Sequence, residues 1–301
     1  MAQREQSKKK KIYYVFLLLF CLVLFLGILA AVAVKLQIIP LKSSDSDADA
    51  DWELGKKSGK EEDFNKYFNV TIKDYNTKQK GTKLGTIESI TYTYLAEDKE
   101  AYVYLPPDYS TDKVYPVLYM IHGMGESREQ WINCKANEII SNMICNKEVK
   151  PLIAVFPTVE DCEEYEDEFA NGLEPYILEN YPVSTEQKDT GVCGLSVGGT
   201  VALHLGFLRR DHFNYIGAFS PPEMEETYET LLSLRRWNTT PQLIFLCSGD
   251  DDRVVADTPQ NFHIILVKNQ VDHIWYLYPE AGHNTIVWMT GLVNFLKMSY
   301  Q

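Results

Sequence analysis

The sequence predicts an α/β fold: a mostly parallel central sheet, antiparallel first strands and helices on both faces. Past residue 110, short and nearly continuous apolar runs alternate with segments of helical periodicity, which implies βαβ units. Before them, Thr86–Leu95 and Ala101–Leu105 alternate in side-chain character, as half-buried antiparallel strands do. The third observation is length. The 301 residues, 45% of them hydrophobic, suffice for one domain of roughly 230–250 residues plus an appendage.

The appendage comes first. Residues 1–11 form a basic stub with Arg4, Lys8, Lys9, Lys10 and Lys11 against Glu5, a local charge of +4. The whole chain carries −13, which leaves −17 on the remaining 290 residues. Residues 12–34, Ile12 to Val34, are 23 residues without a charge. As a helix they extend roughly 34 Å, enough to cross a bilayer's hydrocarbon core, and only a helix satisfies their backbone there. The basic flank predicts a cytoplasmic N-terminus and everything after Val34 outside the cytoplasm. A cleaved signal peptide competes, since Ala31-Val32-Ala33 offers a small-x-small site, but its apolar region is typically only about 7–15 residues. An uncleaved signal-anchor is therefore expected. Residues 35–64 are a polar, acidic linker. Asp45, Asp47, Asp49 and Asp51 alternate within it, but Ala50 and Lys56 stand where a calcium loop needs Gly and Glu.

Residues 65–301 hold the predicted domain. After its first two strands, Val117–Ile121, Leu152–Phe156, Gly191–Leu195, Ile216–Phe219, Leu243–Cys247 and Ile274–Tyr278 are apolar runs expected to be covered on both faces. Helical periodicity fills 135–146, 170–180, 197–209, 224–234, 257–269 and 286–298, with Asp257 or Thr258 and then Pro259 marking one start. Seven acids between Glu160 and Glu168 are expected to be a solvated loop leading into a helix. Ser220-Pro221-Pro222 ends a strand, and the segment on to Leu234 is either one wall of a pocket or a surface connection. Of the six cysteines, Cys193 and Cys247 lie in apolar runs as buried thiols, and Cys134 could pair with Cys145 or Cys162. The absence of a CxxC pair argues against a zinc or redox site, and no metal or cofactor is expected. The acidic balance argues against nucleic acid as a partner, and no oligomeric contact is legible.

In such sheets chemistry collects where strands end and helices begin. Gly194-Leu195-Ser196-Val197-Gly198 lies at one such end, between an expected strand and an expected helix. Three fixed residues recur by chance about 0.1 times in a chain of this length; the strand–helix context makes the pattern a nucleophile elbow, with Ser196 pushed outward. A serine needs a base. His204 and His263 fall inside helices, and His212 and His273 precede strands; His283, in Ala281-Gly282-His283 just past the last strand, is the base candidate. Asp250, Asp251 and Asp252 follow the preceding strand and offer the orienting carboxylate. The order Ser, Asp, His is that of α/β-hydrolases. His122-Gly123-Met124-Gly125 closes the run Tyr115–Ile121 and offers, with Val197, backbone N–H donors for an oxyanion. His122 is expected to shape that loop.

These motifs make the chain resemble a known group. Tyr115-Pro116-Val117-Leu118-Tyr119 running into His122-Gly123-Met124-Gly125 and Trp131, then Asn137-Glu138-Ile139-Ile140, resemble the "Putative esterase" family. That family includes feruloyl esterases of xylanolytic complexes, esterase D-type enzymes and, more distantly, mycolyltransferases. Gly194-Leu195-Ser196 with Gly198-Gly199, and Gly282-His283 with Trp288, extend the resemblance over about residues 84–298. It implies an α/β-hydrolase acting on carboxylic esters without a cofactor, with Ser196 as nucleophile, His283 as base and Met124 and Val197 as oxyanion donors. The family's Gly-x-x-Asp pattern selects Asp252 as the acid, whereas alignment on the preceding cysteine selects Asp251. The chain departs from the family at Glu126, where a third loop glycine is common, and at Val197, where methionine is common. The resemblance implies as partner an acyl or feruloyl ester of carbohydrate or a small alcohol. An acyltransferase using the same acyl-enzyme and an inactive binding scaffold are the competing expectations.

Overall fold

The computed structural model describes residues 68, 70–160, 165–223 and 241–301. The stub, the apolar run and the linker therefore lie outside the described residues, as do Cys162 and the expected helix at 224–234. No helix among the described residues is long and apolar enough to cross a membrane.

Eight strands among those residues form one mixed sheet: β1 (Thr86–Tyr94), β2 (Glu97–Leu105), β3 (Val117–Ile121), β4 (Ile153–Pro157), β5 (Thr190–Leu195), β6 (Tyr215–Phe219), β7 (Leu243–Gly249) and β8 (Ile274–Tyr278). Their spatial order is β1-β2-β4-β3-β5-β6-β7-β8. β2 runs antiparallel to both β1 and β4, and every other neighbouring pair is parallel. The central strands are buried from end to end, as their continuous apolar sequence requires.

Alternation along each strand feeds two cores. In β3, Val117, Tyr119 and Ile121 enter one cluster with Phe169, Leu173, Val201, Leu205, Phe262 and Leu266. Leu118 and Met120 enter the other with Trp131, Ile139, Met143, Leu292 and Phe295. The first cluster is completed by α3 (Tyr165–Glu168), which runs through a π turn (Phe169–Leu173) into α4 (Glu174–Asn180), and by α5 (Val197–Leu208) and α6 (Thr258–Lys268). The second is completed by α1 (Glu129–Asn133), α2 (Ala136–Cys145) and α7 (Thr285–Ser299). Helices thus cover both faces.

Several boundaries differ from expectation for physical reasons. β2 begins four residues early, at Glu97, because Glu97–Glu100 pair with β1 alone; pairing with β4 starts at Ala101. That solvated half of the hairpin carries no apolar alternation to read. The helix expected from 170 begins at Tyr165, and Glu168 turns inward to accept a 2.6 Å hydrogen bond from the Tyr92 hydroxyl. Part of the acidic run is therefore buried, not solvated. Helix α1 has five residues, too few for periodicity to register. Cys134 and Cys145 are free thiols, and burial pushes Cys134 up to about 11. Cys193 and Cys247 are buried, and desolvation raises both.

Candidate active site

The site grows from the C-terminal ends of β3, β5, β7 and β8. β5 ends at Leu195 and α5 opens at Val197, so Ser196 carries the whole reversal, at φ 52° and ψ −131°. A non-glycine residue held there costs about 1–3 kcal/mol and needs neighbours that enforce it. The Ser196 N–H donates to Phe219 O at 2.8 Å, and Ser196 O accepts from the Gly199 N–H at 2.8 Å. Close approach explains the flanking glycines. A Cβ on Gly194 would stand 2.0 Å from Gly198 O, and one on Gly198 would stand 2.3 Å from His122 O. Gly198 thereby lets the first turn of α5 press against the end of β3.

His283 sits between β8 and α7. Its Nε2 lies 3.0 Å from Ser196 Oγ, and its Nδ1 lies 2.9 Å from Asp252 Oδ2. The Asn284 carboxamide caps α7 by accepting from the Ile286 and Val287 N–H groups, which fixes the residue after the imidazole. The Trp288 ring meets the imidazole edge to face at 5.2 Å. With a carboxylate at Nδ1, the ring carries its proton on that nitrogen and presents a lone pair from Nε2 to Ser196.

The three aspartates after β7 divide their work. Asp250 Oδ1 accepts from the Ala281 N–H at 3.1 Å, tying the acid loop to the histidine loop. Asp251 pairs with the exposed Arg253 guanidinium at 2.9 Å. Asp252 is buried; its Oδ1 accepts from the Val254 and Val255 N–H groups, and its Oδ2 accepts from Ser248 Oγ at 3.4 Å and from His283. Asp252, and not Asp251, therefore meets the imidazole.

The loop after β3 lies beside Ser196: a Cβ on Gly123 would stand 3.2 Å from Ser196 Cβ. His122 is buried within it. Its Nε2 accepts from the Val159 N–H at 2.8 Å, so the proton sits on Nδ1 and is donated to Gly123 O at 2.7 Å. Burial holds this imidazole below the usual histidine range, as suits a neutral structural ring. Trp131 Nε1 donates to Ile121 O at 3.0 Å, and the Gly123 N–H donates to Gln130 Oε1 at 2.7 Å. Gly125 has φ +72°, and the Met124 side chain is exposed.

All the expected site residues thus gather at one sheet edge, namely Ser196, His283, Asp252, His122, Gly123, Met124, Gly125, Gly194, Val197 and Gly198. Other histidines pack elsewhere: His212 pairs with Glu174 at 2.7 Å, and His263 and His273 meet each other at 2.8 Å. Gln130, Ser248 and Asn284 escaped sequence reading. Ser248 is the penultimate residue of β7 and could have been sought four residues before the acid; Gln130 lies in a helix too short to register. Among the described residues no group of three or more His, Cys, Asp or Glu is placed to hold a metal ion.

Comparison with known proteins is consistent with this geometry. The profile of a family described as "Putative esterase" matches residues 93–284. An endo-1,4-beta-xylanase/feruloyl esterase of Xylanibacter ruminicola is 29% identical over 167 residues, which are 49% of this chain and 23% of that protein. An endo-1,4-beta-xylanase Y of Acetivibrio thermocellus is 28% identical over 153 residues, 46% of this chain and 14% of that protein. The chain thus spans less than a quarter of these curated relatives. Among solved structures, a CE1 ferulic acid esterase of Anaeromyces mucronatus superposes with a TM-score of 0.69 at 28% identity, covering 75% of this chain and 94% of that one. The same enzyme in complex with ferulic acid superposes equally well. The fluorophosphonate-binding serine hydrolase F of Staphylococcus aureus shares the fold, with a TM-score of 0.63 at 17% identity over 73% of this chain and 100% of that one.

Proposed function

The chain belongs to the "Putative esterase" family, and from that premise we propose that it hydrolyses carboxylic esters through Ser196, His283 and Asp252. The observation that carries the proposal is the continuous hydrogen-bonded line from Ser196 Oγ through the imidazole to Asp252. Ser196 Oγ attacks the ester carbonyl carbon while its proton passes to His283 Nε2. The buried Asp252 carboxylate stabilises the imidazolium and holds its orientation. The carbonyl oxygen becomes an anion facing the amides of Met124 and Val197; Gly123 spends its own N–H on Gln130, which leaves Met124 as this loop's donor. Collapse breaks the bond to the leaving alkoxide, which takes the proton back from His283. Water, deprotonated by the same imidazole, then attacks the acyl-enzyme and releases the acid and Ser196.

The substrate class is an ester with an apolar, feruloyl-type acyl group carried on carbohydrate or a small alcohol. Two observations support it. Met124, Val254 and Ile286 are large apolar side chains left exposed, each within three residues of a member of the constellation. The Anaeromyces mucronatus relative binds ferulic acid. The uncharged run at 12–34 behind a basic stub supports a tethered enzyme whose domain, residues 65–301, works outside the cytoplasm. The test uses the full chain with a nitrophenyl ferulate. Ser196→Ala is expected to lower kcat/KM by at least about 10³-fold, and the protein is expected to stay with the membrane fraction under alkaline extraction. Unchanged hydrolysis sinks the mechanism, and release into the soluble fraction sinks the tether.

A further inference from the structure

We propose that Gln130 is a positioning residue for the oxyanion donor: by holding the Gly123 N–H while the His122 ring holds Gly123 O, its side-chain carbonyl helps fix where the next amide, that of Met124, points. The proposal rests on the ester-hydrolase reading above.

The loop's own sequence makes such a brace necessary. Met124 is flanked by Gly123 and Gly125, and its side chain is 78% exposed, so the side chain contributes little anchorage for its backbone. Glycine has the widest backbone freedom of any residue, and Gly125 uses it at φ +72°. An oxyanion donor stabilises the transition state only if it is already aimed, because reorganisation during the reaction cancels the gain. Upstream of Met124, side chains supply the aim. Trp131 Nε1 holds Ile121 O, the His122 ring spans Gly123 O and the Val159 N–H, and Gln130 Oε1 holds the Gly123 N–H at 2.7 Å. The His122 ring and the Glu126 N–H hold the carbonyl of the donor's own peptide unit, Gly123 O, and Gln130 holds the N–H of the unit just before it, so both ends of Gly123 are fixed. The Gln130 contact also sits close to the chemistry: a Cβ on Gly123 would lie 3.2 Å from Ser196 Cβ and 3.4 Å from Gln130 Oε1. Glutamine suits the place because it accepts a hydrogen bond without charge. A carboxylate there would repel the oxyanion that forms beside it.

Gln130→Met in the full chain keeps the side-chain length and removes the acceptor. A displacement of about 1 Å at a reacting group costs on the order of 10²-fold, so kcat for a nitrophenyl ester is expected to fall about 10–100-fold. KM is expected to stay within about threefold, because the interaction is made only in the transition state. The Ki of an arylboronic acid, which Ser196 converts into a tetrahedral anion, is expected to rise in proportion to the loss in kcat. A variant that folds with kcat within about twofold of wild type, or with unchanged boronate affinity, overturns the proposal. A second measurement needs no variant: hydrogen exchange on the wild-type chain is expected to show the Gly123 amide protected relative to that of Met124. Equal, fast exchange at both overturns it as well. A wild type that hydrolyses no ester refutes the ester-hydrolase reading instead, while exchange still reports on the contact.

Discussion

Which of three adjacent carboxylates serves the histidine is decided by what each already holds. Asp250 accepts from the Ala281 N–H, Asp251 faces Arg253, and Asp252 accepts from two backbone N–H groups, Ser248 and His283. Sequence offered all three, and the family pattern favoured Asp252 without excluding Asp251, because one loop residue reverses which side chain points inward. On this account Asp252→Asn lowers kcat/KM by about 10⁴-fold, since an amide cannot stabilise the imidazolium or enforce its tautomer. Asp251→Asn stays within about threefold, as expected for an exposed ion pair. Steady-state kinetics with both variants checks the assignment, and comparable losses would contradict it. Ser196, Gly194 and Gly198 were legible because a strained elbow restricts residue type so strongly. Gln130 and Ser248 were not: one braces the Gly123 N–H and the other the Asp252 carboxylate, and neither role restricts residue type as the elbow does.

At the scale of elements, the continuous apolar runs were the ones readable in sequence, although β8, expected to be covered on both faces, is the sheet's edge strand and leaves Leu277 exposed. β3 and β8 fall at their expected limits, and β5 and β6 begin one residue early. The β1–β2 hairpin was harder, because its tip reads Leu95-Ala96, without the Gly or Asn that a two-residue turn favours. Both residues nevertheless adopt positive φ, 47° and 64°. Such a conformation costs a residue with a Cβ about 1–2 kcal/mol. Ala96→Gly removes that strain and adds roughly 0.5–1 kcal/mol of unfolded-state entropy. The net expectation is a fold more stable by about 0.5–1 kcal/mol, read as a higher urea midpoint; a lower midpoint would mean that the turn is not strained. The π turn inside the helix that begins at Tyr165 was equally silent, since an inserted residue shifts the apolar period without altering its composition.

For the folded domain as a whole, histidines other than His283 link stability to pH. Burial lowers His122 and His273, and burial with the neighbouring His273 lowers His263 to about 4. These rings are neutral when folded, while an unfolded histidine titrates near about 6.5. The unfolded chain therefore binds the extra protons, and stability rises with pH through this window. The contribution is fully present above about pH 6.5 and is lost as pH falls from there toward about 4. Urea midpoints measured between pH 7.5 and pH 4.5 are expected to decline below about 6.5; a flat profile would contradict neutral burial of these rings.

On the proposed mechanism, Ser196 forms a covalent acyl intermediate. The direct test is mass spectrometry of the full chain, quenched in acid during turnover of a nitrophenyl ferulate. A feruloyl adduct is expected on the peptide containing Ser196, and no adduct in Ser196→Ala. Turnover without an adduct at Ser196, or an adduct on another residue, would contradict it.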